Sequence, residues 1–143
     1  MPDLPHLPDA LTDRVAVLLQ VVLVRAQAMG ERALTELGIS GREYGVLAQL
    51  EHGPATAQHQ LGGPLGIDRT STMTLLAGLE AHGLLSRSRD PTNRRAYLVT
   101  LTDAGEQLRA RASHVLADCD DRFLAPLPPH ERTRLRRTLI RLL

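Results

Sequence analysis

The chain has 143 residues, 43% of them hydrophobic and only 2% aromatic, with 17 basic residues against 16 acidic ones and a net charge of +1. That length fits one compact domain whose core must come from Leu, Val, Ile and Ala, which suits helices packed on helices. The near-neutral charge excludes a globally basic nucleic-acid binder, and the lack of aromatic platforms argues against single-stranded nucleic acid.

All the basic residues are Arg. Arg favours bidentate contacts to phosphate and guanine, although GC-rich codon usage gives the same bias. Cys119 is the single cysteine, so no disulfide or zinc cluster forms within the chain, and a reducing cytoplasm is expected. Residues 1–6 lack the basic start of a signal peptide. The longest apolar run, Val15 to Val24, is broken by Gln20 and falls well short of the ~20 residues that span a bilayer, so no membrane association is expected.

Residues 1–8 carry three prolines and read as an irregular arm. Asp9 or Thr12 can cap a first helix over about residues 10–36. Its start is apolar around much of its circumference, which requires burial on more than one side. A partner subunit or a central core position would both satisfy that requirement. Gly38 ends this helix. Ser40 and Glu43 then form a capping box, and a second helix follows with Tyr44, Val46, Leu47 and Leu50 as its apolar positions. Gly53-Pro54 stops it. Residues 55–65 predict a short helix that ends or distorts at Gly62-Gly63-Pro64.

Asp68, with Ser71 three residues on, caps the next helix, which runs to His82. At 100° per residue Thr72, Leu76 and Leu79 share its buried face. The opposite face carries Thr70, Thr74, Ala77 and Gly78, flanked by Ser71 and Met73. A surface of small polar residues lets a helix approach another molecule closely. Its hydroxyls and methyls suit phosphates and base edges, although a Thr-rich solvent face has the same composition. Gly83 ends the helix. A hairpin follows from Leu84 to Leu101, turning at Asp90-Pro-Thr-Asn93. It carries Arg87, Arg89, Arg94 and Arg95 against one acid, Asp90, a local excess of three positive charges. Such a hairpin is either a strand edge guarded against aggregation or a phosphate-facing wing, and the Thr-rich helix beside it favours the wing. Thr102 and Asp103 open a long helix with Leu108, Ala112, Val115, Leu116, Cys119 and Phe123 on its apolar face. Pro126 and Pro128-Pro129 break it, and Pro129 opens a last amphipathic helix bearing Leu135 and Leu139.

This order of elements resembles the multiple antibiotic resistance regulator (MarR) family of bacterial transcription factors. The resemblance rests on residues 79–87, on Asp90-Pro-Thr-Asn93-Arg94-Arg95, and on Val99-Thr-Leu101-Thr102-Asp-Ala-Gly105. The family's wing reads Asp-Pro-x-Asp-Arg-Arg, followed by a Leu-Thr-x-x-Gly helix start. Five of the six wing positions match, with Asn93 standing where the family usually has Asp. The Gly-Gly-Pro before the recognition helix is a second departure, expected to shift that helix.

The resemblance implies a mainly α fold with a small β-hairpin wing: a winged helix-turn-helix between N- and C-terminal dimerisation helices. Residues 1–36 and 104–143 would form the dimerisation region and residues 37–103 the DNA-binding region. It implies a cytoplasmic homodimer that regulates transcription as a repressor, with double-stranded DNA bearing a palindromic operator as its partner. The 68–82 helix would enter the major groove and the wing the flanking minor groove. Arg69, Thr70, Ser71 and Thr74 are then the base or nearby phosphate contacts, and Arg94 is the minor-groove residue. Arg87, Arg89 and Arg95 are phosphate contacts or wing braces. A small aromatic effector is the implied ligand, with no residues assigned to it. Cys119 reads as a buried, inert thiol rather than a peroxide sensor. The six histidines lack metal-ligand spacing and no nucleophile–base arrangement stands out, so no cofactor, metal or catalytic residue is expected. The rival readings are a winged-helix protein-interaction module and a helical ligand-binding dimer that does not bind DNA.

Overall fold

The structure, a computed structural model, describes residues 8–51, 53, 55–93 and 95–143. Among the described residues, six α-helices and a three-stranded antiparallel sheet follow in the order α1 (Asp9–Thr12), α2 (Val15–Thr35), α3 (Gly41–Gln49), β1 (Thr56–Ala57), α4 (Arg69–Ala81), β2 (Leu85–Arg89), β3 (Tyr97–Leu101), α5 (Asp103–Phe123) and α6 (Pro129–Ile140). The mainly α fold with a β wing is as the sequence implies. α2 packs along α5, α3 packs on both of them and on α4, and α4 packs on β2.

The core is aliphatic. Leu34, Ile39, Val46, Leu47, Leu50, Leu61, Leu76, Leu79, Leu85, Val99 and Ala112 form one buried cluster. It draws on every element but β1 from the end of α2 to the middle of α5, so it is centred in the winged-helix half. The N-terminal half of α2 lies outside it. There Val15, Leu19, Val22, Leu23 and Val24 are 43–69% exposed. α6 buries no residue at all, and Leu139 and Ile140 on it are exposed. The apolar circumference seen in the sequence of α2 is therefore uncovered within one chain.

Several boundaries follow from local chemistry. Gly38, at φ 76°, ends α2 as its N–H donates to the Thr35 carbonyl while Ile39 N–H donates to Leu34, a closure that needs a left-handed residue. Ser40 and Glu43 form the expected capping box on α3. Pro128 and Pro129 begin α6, where a missing N–H costs nothing.

Two expectations need correction. The first helix is not continuous: Arg14 takes extended angles (φ −106°, ψ 107°), separating α1 from α2. Neither Asp9 nor Thr12 caps, because the Thr12 hydroxyl turns back to donate to the Asp9 carbonyl at 3.0 Å. The short helix over residues 55–65 is also absent. Thr56 and Ala57 pair with Val99 and Leu98 of β3, making the sheet order β1-β3-β2, and two single 3-10 turns follow at Gln58–Gln60 and Gly63–Leu65. Gly62 sits between them at φ 85°, and a Cβ there would lie 2.1 Å from Thr72 Oγ1. The Gly-Gly-Pro thus lets the chain pass close under α4 where an α-helix cannot continue.

Candidate nucleic-acid interface

α4 begins at Asp68, whose carboxylate accepts the Ser71 N–H at 3.0 Å and the Ser71 hydroxyl at 2.6 Å. These bonds favour the charged carboxylate and hold its pKa below the ordinary range. Ser71 is thus occupied by the cap. Thr72 is buried, and its hydroxyl donates to the Asp68 carbonyl at 2.9 Å. With Leu76 and Leu79 it forms the inward face. Thr70, Met73, Thr74 and Ala77 are exposed on the outward side. The Thr74 hydroxyl donates to the Thr70 carbonyl at 3.1 Å, which leaves its methyl and its lone pairs facing outward. Arg69 is exposed at the first turn and, among the described residues, its guanidinium has no partner.

The wing is fastened to α4 from behind. Arg87 of β2 donates through Nε and Nη2 to the Glu80 carboxylate near the end of α4. The pairing lowers the pKa of Glu80 and raises that of Arg87. Two residues along the same strand, the Arg89 guanidinium lies 4.5 Å from the centroid of the Tyr97 ring, its cross-strand partner. At the tip, Asp90 accepts from the Thr92 N–H at 2.8 Å and the Thr92 hydroxyl at 2.7 Å, and its pKa is lowered by them. Asn93 Oδ1 accepts the Arg95 N–H at 3.2 Å, so Asn stiffens the turn without a charge. Arg95 is exposed beside it. Arg94 lies outside the described residues.

The structure therefore brings Arg69, Thr70, Thr74 and Arg95 to the surface, places Ser71 in a cap, ties Arg87 to Glu80 of α4 and engages Arg89 with Tyr97 within the wing. The base of the wing is tied to α5. The Thr102 hydroxyl donates to the Gly83 carbonyl at 2.7 Å and accepts the Gly105 N–H at 3.1 Å. Gly105 passes so near Leu84 that a Cβ would meet its carbonyl oxygen at 1.8 Å. That contact accounts for a Gly three residues after the capping Thr.

Sequence reasoning missed the residues that join the helix-turn-helix to the long helices. Glu31 of α2 accepts the Gly41 N–H with both carboxylate oxygens, at 3.0 and 3.1 Å. Arg109 of α5 is 6% exposed and pairs with Glu51 at 2.8 Å and Glu106 at 2.6 Å. The pair with Glu106 is spaced i, i+3 and was visible as a pattern; the contact to Glu51 was not. Between α2, α5 and the start of α3 opens a cleft of about 650 Å³. Leu34, Tyr44, Ile67 and Leu116 line it with Glu31, Arg42 and Asp120. Cys119 is buried at its edge, with Sγ 3.9 Å from the Met29 carbonyl. Among the described residues no cluster of His, Cys, Asp and Glu is placed to hold a metal ion, and no helix is long and apolar enough to cross a membrane.

Comparison with known proteins agrees with this geometry. The MarR family model matches residues 37–96. A putative transcriptional regulatory protein for the hcr operon of Thauera aromatica is 33% identical over 101 residues, which is 71% of this chain and 61% of that protein's length. The HTH-type transcriptional repressor Rv2887 of Mycobacterium tuberculosis is 29% identical over 77% of this chain and 79% of its own. The repressor CouR, solved on a 23-mer DNA duplex, superposes with a TM-score of 0.85 at 27% identity, covering 92% of this chain and 94% of CouR. CouR from Rhodococcus jostii RHA1, bound to p-coumaroyl-CoA, superposes with a TM-score of 0.79 at 26% identity over 90% of this chain and 91% of its own. By sequence motif, element order and superposition alike, the chain belongs to the MarR family of winged helix-turn-helix transcriptional regulators.

Proposed function

We propose that the chain is a homodimeric transcriptional repressor that binds a palindromic operator and is released by a small aromatic effector. The observation that carries this reading is the exposed Thr70–Thr74 face of α4, set beside an Arg-bearing wing on a near-neutral chain. Small side chains allow α4 to lie deep in a major groove, and the basic residues are gathered where the flanking phosphates and minor groove would pass. The superposition with CouR on duplex DNA supports that placement.

Residues 37–103 act as the DNA-binding region. Arg69, Thr70 and Thr74 contact bases or nearby phosphates, with Ser71 holding the helix start. Arg94 enters the minor groove, Arg95 meets phosphate, and Arg87 and Arg89 brace the wing. Residues 1–36 and 104–143 form the dimerisation region, and the uncovered stripe of α2 with the exposed end of α6 is the surface the second subunit buries. The effector occupies the cleft between the two regions, in keeping with the p-coumaroyl-CoA complex of CouR. The protein works in the cytoplasm.

Fluorescence anisotropy of a labelled random duplex at low and moderate salt tests the reading. Binding that weakens steeply with salt is expected, and Arg94→Ala flattens that dependence. Absence of binding to any duplex at low salt overturns it.

A further inference from the structure

Arg42 occupies a position that no reading of the sequence singled out. It is the second residue of α3 and is exposed. Among the described residues its guanidinium has no ion pair and no hydrogen bond. At this helix start the Ser40 and Glu43 N–H groups are taken up by the capping box and the Gly41 N–H by Glu31, which leaves the Arg42 N–H and guanidinium. The guanidinium is the charged group there that is left to meet an external anion.

Two concavities meet at this residue. The cleft of about 650 Å³ has mixed walls, with Leu34, Leu65, Ile67 and Leu116 as apolar lining and Glu31, Asp120 and Arg42 as its charged lining. Two acids and one base mean that an anionic group in this cleft is repelled everywhere except beside Arg42. The second, a depression of about 280 Å³, is lined by Arg42 with Thr70, Ser71, Thr74 and Leu75. Thr70 and Thr74 lie on the outward face of α4 and Ser71 at its leading end, the part set against DNA, while Leu75 packs inward on the core. Among the described residues, Arg42 is the one that lines both.

We propose that Arg42 is a shared anion-binding residue: it holds an operator phosphate when α4 is docked, and the carboxylate of an aromatic acid when the cleft is filled. This rests on the reading of α4 as the operator face and of the cleft as the effector site. A guanidinium presents its donors in one rigid plane and makes a bidentate contact to one anion at a time. An effector that engages Arg42 therefore removes a phosphate contact from each half of the dimer. Operator and effector oppose each other through that single side chain, and the coupling is reciprocal. Effector charge, and not only its aromatic body, sets how strongly DNA is released.

The test uses the full chain, an operator duplex selected from genomic DNA, and two probes of one shape: 4-hydroxycinnamate and its neutral amide, at constant ionic strength. Wild-type protein is expected to lose operator affinity more with the carboxylate than with the amide. Arg42→Ala should bind the operator about tenfold more weakly or worse, with a salt slope smaller by about two for the two subunits. In that variant the carboxylate and the amide should act alike, while Arg42→Lys restores part of the salt slope. Because Arg42 is exposed, the variant's melting temperature should match wild type, and circular dichroism checks that it folds. An unchanged salt slope in Arg42→Ala overturns the phosphate half of the proposal. Equal response of the wild type to carboxylate and amide, including no response to either, overturns the effector half. Failure of the wild type to bind any duplex overturns the reading beneath it instead.

Discussion

Arg87 on β2 and Glu80 near the end of α4 are seven residues apart in sequence and joined by two hydrogen bonds from one guanidinium to one carboxylate oxygen. The pair fixes the angle between the wing and the helix that carries the exposed Thr face. Arg87 is thereby spent on internal geometry. If it is a brace, Glu80→Ala should weaken operator binding as much as Arg87→Ala, by roughly threefold to tenfold. The double variant should be no worse than either alone. Salt slopes should stay at the wild-type value in all three. A slope that drops only in the Arg87 variants would show a direct phosphate contact.

The carboxylates of Asp68, Glu80 and Asp90 all have pKa values lowered by the hydrogen bonds they accept. A group whose folded pKa is depressed stabilises the fold fully above its unfolded value and loses that contribution as pH falls through the folded one. The ordinary values are 4.5 for Glu80 and 3.8 for the two Asp residues, so the loss falls in the acid range below these. Asp68→Ala should melt below wild type by a constant interval between pH 7 and 5, and the interval should narrow below pH about 3.8. An interval that is constant down to pH 2.5 would mean that the charge on Asp68 contributes nothing to the cap.

Gly105→Ala places a methyl against the Leu84 carbonyl oxygen, which a Cβ would meet at 1.8 Å. Backbone faces backbone there, so no side chain can yield. The substitution should cost about 3 kcal/mol and lower the melting temperature by roughly 10 °C. DNA binding should fall with it, because the same contact seats the base of the wing. A melting temperature within 2 °C of wild type would show that α5 moves aside freely.

Leu23 is 54% exposed in one chain and belongs to the apolar stripe of α2. Leu23→Glu removes little from the subunit's own packing, so any loss must come from the partner. Sedimentation should find the wild type dimeric and the variant monomeric at micromolar concentration. A variant that stays dimeric would place the subunit interface elsewhere.

What was legible in the sequence was local. Ser40 with Glu43 and Asp68 with Ser71 each act over three residues, so spacing alone reveals them, while Thr102 with Gly105 entered through the resemblance to the family's Leu-Thr-x-x-Gly. The inward set Thr72, Leu76 and Leu79 follows from helical period. The contacts that assemble the site are not of that kind. Glu31 reaches Gly41, Arg109 reaches Glu51, and Thr56 finds Val99, each pairing residues brought together by the fold. A two-residue strand has no periodicity to detect, so residues 55–65 read as a helix. Arg42 escaped notice because an exposed Arg on a helix is ordinary until two concavities are seen to share it. Glu80 likewise reads as a surface acid until β2 turns back beside it.

The most direct test of the central claim is selection of genomic fragments by the purified protein, followed by titration of the enriched duplex. Enrichment of an inverted repeat with half-sites about one helical turn apart, bound by two subunits per duplex, is expected. Thr74→Ala should shift the base preference at one position in each half-site. Recovery of fragments with no shared sequence, or one subunit bound per duplex, would contradict that claim.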